Sequence, residues 1–245
     1  MDIELFEFPG SNACLTTTLL LQSRGIAWRS HHLRPMLHVA SLRRRGFARG
    51  TVPAALIDGA RVQGTIAIAH ALDEAMPELG LIPREEPARA QVLEAERLGE
   101  RLQRTARRLV YRVAAQDVRL IDPLIRANFG SLPSPVRTAL ALTLRAGAQR
   151  GHGATAAREA HEVDRLRSLL TQLDALTVAG YLGQELPMVG DFQVAPNLAL
   201  LASLDGLDVL LQARPCWEAA RRLMPTYPLE LQGAAPAAWL ATLSG

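Results

Sequence analysis

The 245-residue chain carries 27 basic and 24 acidic side chains, a formal charge of +3, and every basic residue is an arginine. Without lysine, Schiff-base and lysine-nucleophile chemistry and a Walker-type phosphate loop are excluded, and so small a charge excess argues against a nucleic-acid partner or an acidic membrane surface. Two cysteines, Cys14 and Cys216, build neither a disulfide framework nor a multi-cysteine zinc site, and 49% apolar residues with only 4% aromatics call for a core of Leu, Ala and Val.

Taken in chain order, the first eighty residues alternate strand-like and helix-like segments. Ile3 to Phe8 alternates apolar and acidic positions, as a half-buried strand does. Pro9-Gly10-Ser11-Asn12 reads as a turn feeding a helix, with Ser11 or Asn12 as its cap, and that helix stops at Gly25. Ile26-Ala27-Trp28 begins a second strand, and residues 36–48 form a basic helical or irregular segment. Ala54–Ile57 and Ala60–Gln63 flank Asp58-Gly59, a β-hairpin signal. Thr65 can cap a helix carrying Ile66, Ile68, Ala69 and Leu72.

Past Pro77 the texture changes. Residues 81–87 read as a proline-bounded linker, and the chain beyond them is helical in pattern. Residues 88–114 space Val92, Ala95, Leu98, Leu102, Ala106, Leu109 and Val113 by three and four. Shorter helices are expected over 120–126 and 135–145, a loop over 147–153, and a long helix through Val163 and Leu176. Further helices are expected over 191–204 and 215–223, with an irregular tail from about residue 224 wrapping the surface.

This order and three local motifs resemble the glutathione S-transferase family. The first motif is Leu5-Phe6-Glu7-Phe8-Pro9-Gly10-Ser11-Asn12-Ala13-Cys14, the second Thr51-Val52-Pro53-Ala54-Ala55-Leu56-Ile57, the third Gln63-Gly64-Thr65-Ile66-Ala67-Ile68. Gly190-Asp191-Phe192 is a weaker fourth match. The resemblance implies an α/β thioredoxin-like domain over 1–80 followed by an all-α helical-bundle domain over 88–245. It also implies a cytoplasmic homodimer that conjugates a thiol to an electrophilic small molecule in detoxification. Glutathione would be the co-substrate, another low-molecular-weight thiol being the alternative, with no metal.

The resemblance assigns Ser11 as the catalytic hydroxyl and Cys14 as its alternative. A hydroxyl at a helix N-terminus donates to the bound thiolate, where the helix end also favours an anion. Val52 and Pro53, through a cis-proline turn, would pair with the peptide backbone of the thiol, and Gln63, Gly64 and Thr65 would meet its γ-glutamyl end. A binding protein that keeps this fold without turnover, and Cys14-dependent thiol–disulfide exchange, are the competing readings. The arginines at 97, 101, 104, 108 and 112 read as a solvated helix face with interspersed glutamates, Glu100 pairing with Arg104. No histidine pair has a metal-ligand spacing.

Overall fold

The structure, a computed structural model describing residues 1–231 and 233–244, opens with a four-stranded sheet. Its strands are β1 (Ile3–Glu7), β2 (Arg29–His32), β3 (Ala54–Ile57) and β4 (Ala60–Gln63), in the order β2-β1-β3-β4. β1 runs parallel to β2 and antiparallel to β3, and β3 pairs antiparallel with β4 through the Asp58-Gly59 turn.

Alternation along the strands sorts side chains onto two faces. Ile3, Leu5, Ala55 and Ile57 pack with Leu20 and Leu21 of α1 (Asn12–Ser23) and with Ile68, Ala69 and Leu72 of α3 (Thr65–Ala75). Phe6 and Ala54 point the other way, onto Leu42 of α2 (His38–Arg44) and onto Phe47. The first face is closed from beyond by Val92 of α4 (Ala88–Gln116) and by Val189 and Phe192 of α8 (Val189–Ala202).

The helical part is built around those two elements. Every residue of α8 from Val189 to Leu201 is buried, the polar Asp191, Gln193 and Asn197 included. α4 can lie close to it because Gly99 and Gly190 have no Cβ, where an added one would sit 2.8 Å from Gln193 and 2.6 Å from Ala95. α5 (Asp122–Phe129), α6 (Ser134–His152), α7 (Glu159–Val178), α9 (Leu207–Gln212), α10 (Pro215–Leu223) and α11 (Ala237–Ser244) complete the bundle. Of the α4 arginines expected on a solvated face, Arg97 pairs there with Glu94 at 2.8 Å and Arg104 with Glu100 at 3.0 Å. Arg108 and Arg112 are instead partly buried and pair across to Glu162 at 2.6 Å and Glu159 at 2.8 Å, on α7.

Four local expectations are corrected. The second strand starts at Arg29, because the Ile26 N–H instead closes the end of α1 on the Leu21 carbonyl at 2.9 Å. α3 is preceded by Gly64 as its N-cap, making Thr65 the first helical residue and not the cap. Residues 147–152 are helix: α6 absorbs Gly147 and Gly151 and ends at Gly153, whose φ of 66° no longer fits a helix. The tail is not a surface wrap, since α11 buries Trp239, whose indole N–H donates to Glu159 at 2.8 Å. No helix among the described residues is long and apolar enough to cross a membrane.

Candidate functional site

Strand register brings the predicted residues together. Phe6 pairs with Ala54, and Ala54 with Gln63, so β1 ends, β3 begins and β4 ends on one edge of the sheet. The turn before α1, the Val52-Pro53 segment and the start of α3 therefore leave from the same edge. The Gly64 N–H donates to the Pro53 carbonyl at 3.0 Å, tying the second of these to the third. Both helices present their N-terminal N–H groups there, an arrangement that favours anions.

Ser11 is the N-cap of α1, with φ −77° and ψ 111°, and its Oγ accepts from the Cys14 N–H at 3.4 Å. It remains partly accessible. Cys14 is 2% exposed, and its thiol is pushed up to about 12, first by burial, against weaker opposing hydrogen bonds from Ser11 and Phe8. A thiol so buried and so raised is a poorer nucleophile than a free cysteine, which favours Ser11 over Cys14 as the reactive group.

The Val52–Pro53 bond is cis, and Val52 makes no backbone hydrogen bond among the described residues. Gln63 is spent within the protein: its amide donates to the carbonyls of Arg49 at 2.5 Å and Thr51 at 2.8 Å and accepts from the Arg49 N–H at 3.0 Å. It clasps the loop that leads into Val52. Gly64 has φ 101° and ψ 152°, a conformation for residues lacking Cβ. Thr65 is 9% exposed in the first turn of α3.

Four further residues join this edge without having been singled out by motif. Arg49 is exposed, donates to the Gln63 carbonyl at 2.7 Å, and keeps its guanidinium 3.6 Å from where a Gly64 Cβ would stand. His38, at the start of α2, has its ring edge-on to Phe8 at 5.4 Å, and burial lowers its pKa. Asn128 of α5 donates to the Pro9 carbonyl at 2.9 Å, and the Tyr227 hydroxyl lies 3.5 Å from the Gly10 carbonyl. Leu124 and Leu229 close over Gly10, where a Cβ would come within 2.6 and 2.7 Å of them. Only the tertiary fold could reveal the contacts of Asn128 and Tyr227, because they span 100 residues or more of chain.

Among the described residues no group of three His, Cys, Asp or Glu side chains could hold a metal ion. An open groove of about 410 Å³ lined by Arg101, Arg104, Arg165, Ser168, Leu169 and Gln172 shares no residue with this edge.

A thioredoxin-like sheet followed by an all-helical bundle is the fold of the glutathione transferases, and this chain has it. Glutathione transferase F7 of Populus trichocarpa superposes with a TM-score of 0.62 at 14% identity, over 98% of this chain and 99% of that one. A glutathione S-transferase of Methylobacillus flagellatus KT with glutathione bound gives 0.56 at 16%, over 98% of each chain. A glutathione transferase family member of Pseudomonas fluorescens Pf-5, also with bound glutathione, gives 0.56 at 17%, over 96% and 100%. No protein-family model matches the sequence, and no curated protein matches it.

Proposed function

We propose that the protein conjugates glutathione to an electrophilic small molecule, with Ser11 holding the thiol. The carrying observation is the convergence on one sheet edge of a partly accessible hydroxyl at a helix N-terminus, a Val52 backbone unpaired among the described residues and a second helix N-terminus at Thr65. Glutathione fits that donor set. An extended peptide can add itself to Val52 as a strand, its γ-glutamyl carboxylate facing the Thr65 end and its sulfur facing Ser11. Gly64 and Gln63 shape that end, Gln63 through the loop it clasps.

In this reading residues 1–80 form the thiol-binding domain, 81–87 the connection and 88–245 the domain that holds the electrophile. Ser11 donates its hydroxyl hydrogen to the thiolate, which lowers the thiol's pKa and raises the fraction of nucleophile at neutral pH. The thiolate then attacks, the carbon–sulfur bond forms, and the leaving group departs with its electron pair. A homodimer, a cytoplasmic location and a part in detoxification belong to the same proposal and rest on the family resemblance.

The test uses purified protein, glutathione and 1-chloro-2,4-dinitrobenzene. Ser11→Ala should lower kcat/KM by about 100-fold, the scale set by loss of one donor to a developing or bound anion, and move the rate's rise with pH to higher pH. Cys14→Ala should keep kcat/KM within about twofold. Turnover lost with Cys14→Ala but kept with Ser11→Ala would reverse the assignment. Failure of glutathione to raise the melting temperature would remove the co-substrate itself, because a ligand selective for the native state must stabilise it.

A further inference from the structure

Between Leu33 and Gly64 the chain holds Arg34, Arg43, Arg44, Arg45, Arg49 and Arg61 against a single acid, Asp58. These arginines are exposed, and none makes an ion pair among the described residues. Asp58 does not answer them at the Thr65 edge. It sits in the β3–β4 turn, at the other end of the hairpin, and accepts from the Asp2 N–H at 2.7 Å. The first turn of α3 has no acid either. Asp73 comes about two turns further along that helix and pairs with Arg84 at 2.9 Å. The edge where α3 begins is therefore electropositive, and such a field draws anions and repels cations.

Arg49 is fixed at this edge by both its backbone and its side chain. The Gln63 amide accepts from the Arg49 N–H at 3.0 Å and donates to the Arg49 carbonyl at 2.5 Å, while an Nη of Arg49 donates to the Gln63 carbonyl at 2.7 Å. The guanidinium thus stands beside Gly64, one residue before Thr65, with 3.6 Å between it and the place of an absent Cβ. Its other nitrogens have no acceptor among the described residues. A guanidinium held in this way loses little further freedom on meeting a ligand. Its planar donors match the two oxygens of a carboxylate.

We infer that Arg49 receives the γ-glutamyl carboxylate and that this end of the site makes no use of the γ-glutamyl ammonium, so that the co-substrate class is wider than glutathione: cysteinylglycine thiols acylated by a short chain with a terminal carboxylate. This deepens the conjugation reading and rests on it for the thiol, while the choice of carboxylate over ammonium rests on Arg49 and on the absence of an acid near it. Gln63 holds the arginine and Gly64 leaves room beside it, which gives both residues a part in the site without a direct contact from either side chain.

The test compares three thiols with 1-chloro-2,4-dinitrobenzene: glutathione, glutaryl-Cys-Gly, which lacks the ammonium, and 4-aminobutanoyl-Cys-Gly, which lacks the carboxylate. Each is corrected for its own uncatalysed rate. In all three the thiolate forms a bond to the ring carbon and chloride leaves with its electron pair. In the wild type, glutaryl-Cys-Gly should keep kcat/KM within about threefold of glutathione, and 4-aminobutanoyl-Cys-Gly should fall about tenfold or more below it, the scale of one charge-assisted contact. Arg49→Gln should bring the ratio of glutaryl to aminobutanoyl peptide down to about one, and Arg49→Lys should restore part of it, as a point charge without the planar fork does. Circular dichroism and melting check each variant's fold, and the order of the three thiols in the wild type needs no variant at all.

A wild type that needs the ammonium as much as the carboxylate, or a ratio that survives Arg49→Gln, would overturn the proposal. Calorimetric titration with the S-methyl derivatives of the three peptides separates it from the conjugation reading. Binding in the expected order, lost to equality in Arg49→Gln, with no turnover of any thiol, supports the carboxylate site and overturns conjugation alone. Turnover of all three thiols at one efficiency overturns the carboxylate site alone. Neither binding nor turnover with any of them overturns both.

Discussion

His152 lies in the last turn of α6, its ring parallel to Tyr111 and its carbonyl accepting from Arg108 at 2.9 Å. Burial, and then the charges of Arg107 and Arg108, push its pKa from 6.5 to about 4. Between those two pH values the unfolded chain takes up a proton that the folded chain refuses. Stability must therefore fall as pH drops from 6.5 toward 4, and level off below. The ring keeps part of its surface in water, so the loss is about 1–2 kcal/mol once solvent screening is allowed for. His152→Gln should flatten this part of the profile, read as the urea midpoint at pH 7.5, 5.5 and 4.5. An unchanged difference between the wild type's midpoints and the variant's across that range would show that other groups carry the acid sensitivity. Nothing in the sequence marks the residue, because its shift comes from burial and from arginines some 44 positions away in the chain.

The element most exposed to sequence logic is the hairpin and the turns on either side of it. Asp58-Gly59 between two short apolar runs forms the β3–β4 turn at the residues that its chemistry dictates. The same logic fails at two neighbours. Thr65 has the residue type of a cap, yet the backbone φ of 101° needed to turn from β4 into α3 falls one residue earlier, where only Gly64 adopts it without strain. Gln63 has the residue type of a ligand donor, yet its amide is consumed by Arg49 and Thr51. Its local role is to hold the loop from which Val52 presents its backbone. Gln63→Ala should therefore raise the KM for glutathione by about five- to tenfold while leaving kcat within about twofold, the pattern of lost ground-state positioning. The clasp is exposed, so the cost in stability should be no more than about 1 kcal/mol by thermal melting. An unchanged KM would show that the loop keeps its shape without the clasp. Gly147 and Gly151 misread as a loop for a different reason: each costs a helix about 1 kcal/mol, which the flanking turns of α6 offset.

At the scale of the whole molecule, the sheet part and the helical part meet through a buried polar chain as well as through apolar surface. The Asn12 amide at the start of α1 donates to the Asn197 carbonyl oxygen inside α8, and the Asn197 amide donates to the Gln193 carbonyl at 2.6 Å. Gln193 in turn donates to Gln103 of α4 at 3.2 Å. Asn197 is 0% exposed and Asn12 7%. Asn12 reads locally as one more capping residue and Asn197 as an irregularity in an apolar helix. Their partnership across 185 positions exists only once α1 packs on α8. Asn197→Ala leaves the Asn12 amide buried without its acceptor and opens a small cavity, so it should cost about 2–4 kcal/mol in urea unfolding. Because Asn12 follows Ser11 directly, the same change should loosen the turn that carries Ser11 and, under the proposed reading, lower kcat/KM in conjugation by about tenfold without moving its pH profile. Asn12→Ala combined with Asn197→Ala should cost clearly less than the sum of the two single changes, since one bond is lost in all three variants. Additive costs would mean that the two asparagines act separately. The position of Ser11 would then depend on the turn at Pro9 and Gly10 and on Leu124 and Leu229 above it, rather than on the helix that joins the two parts of the protein.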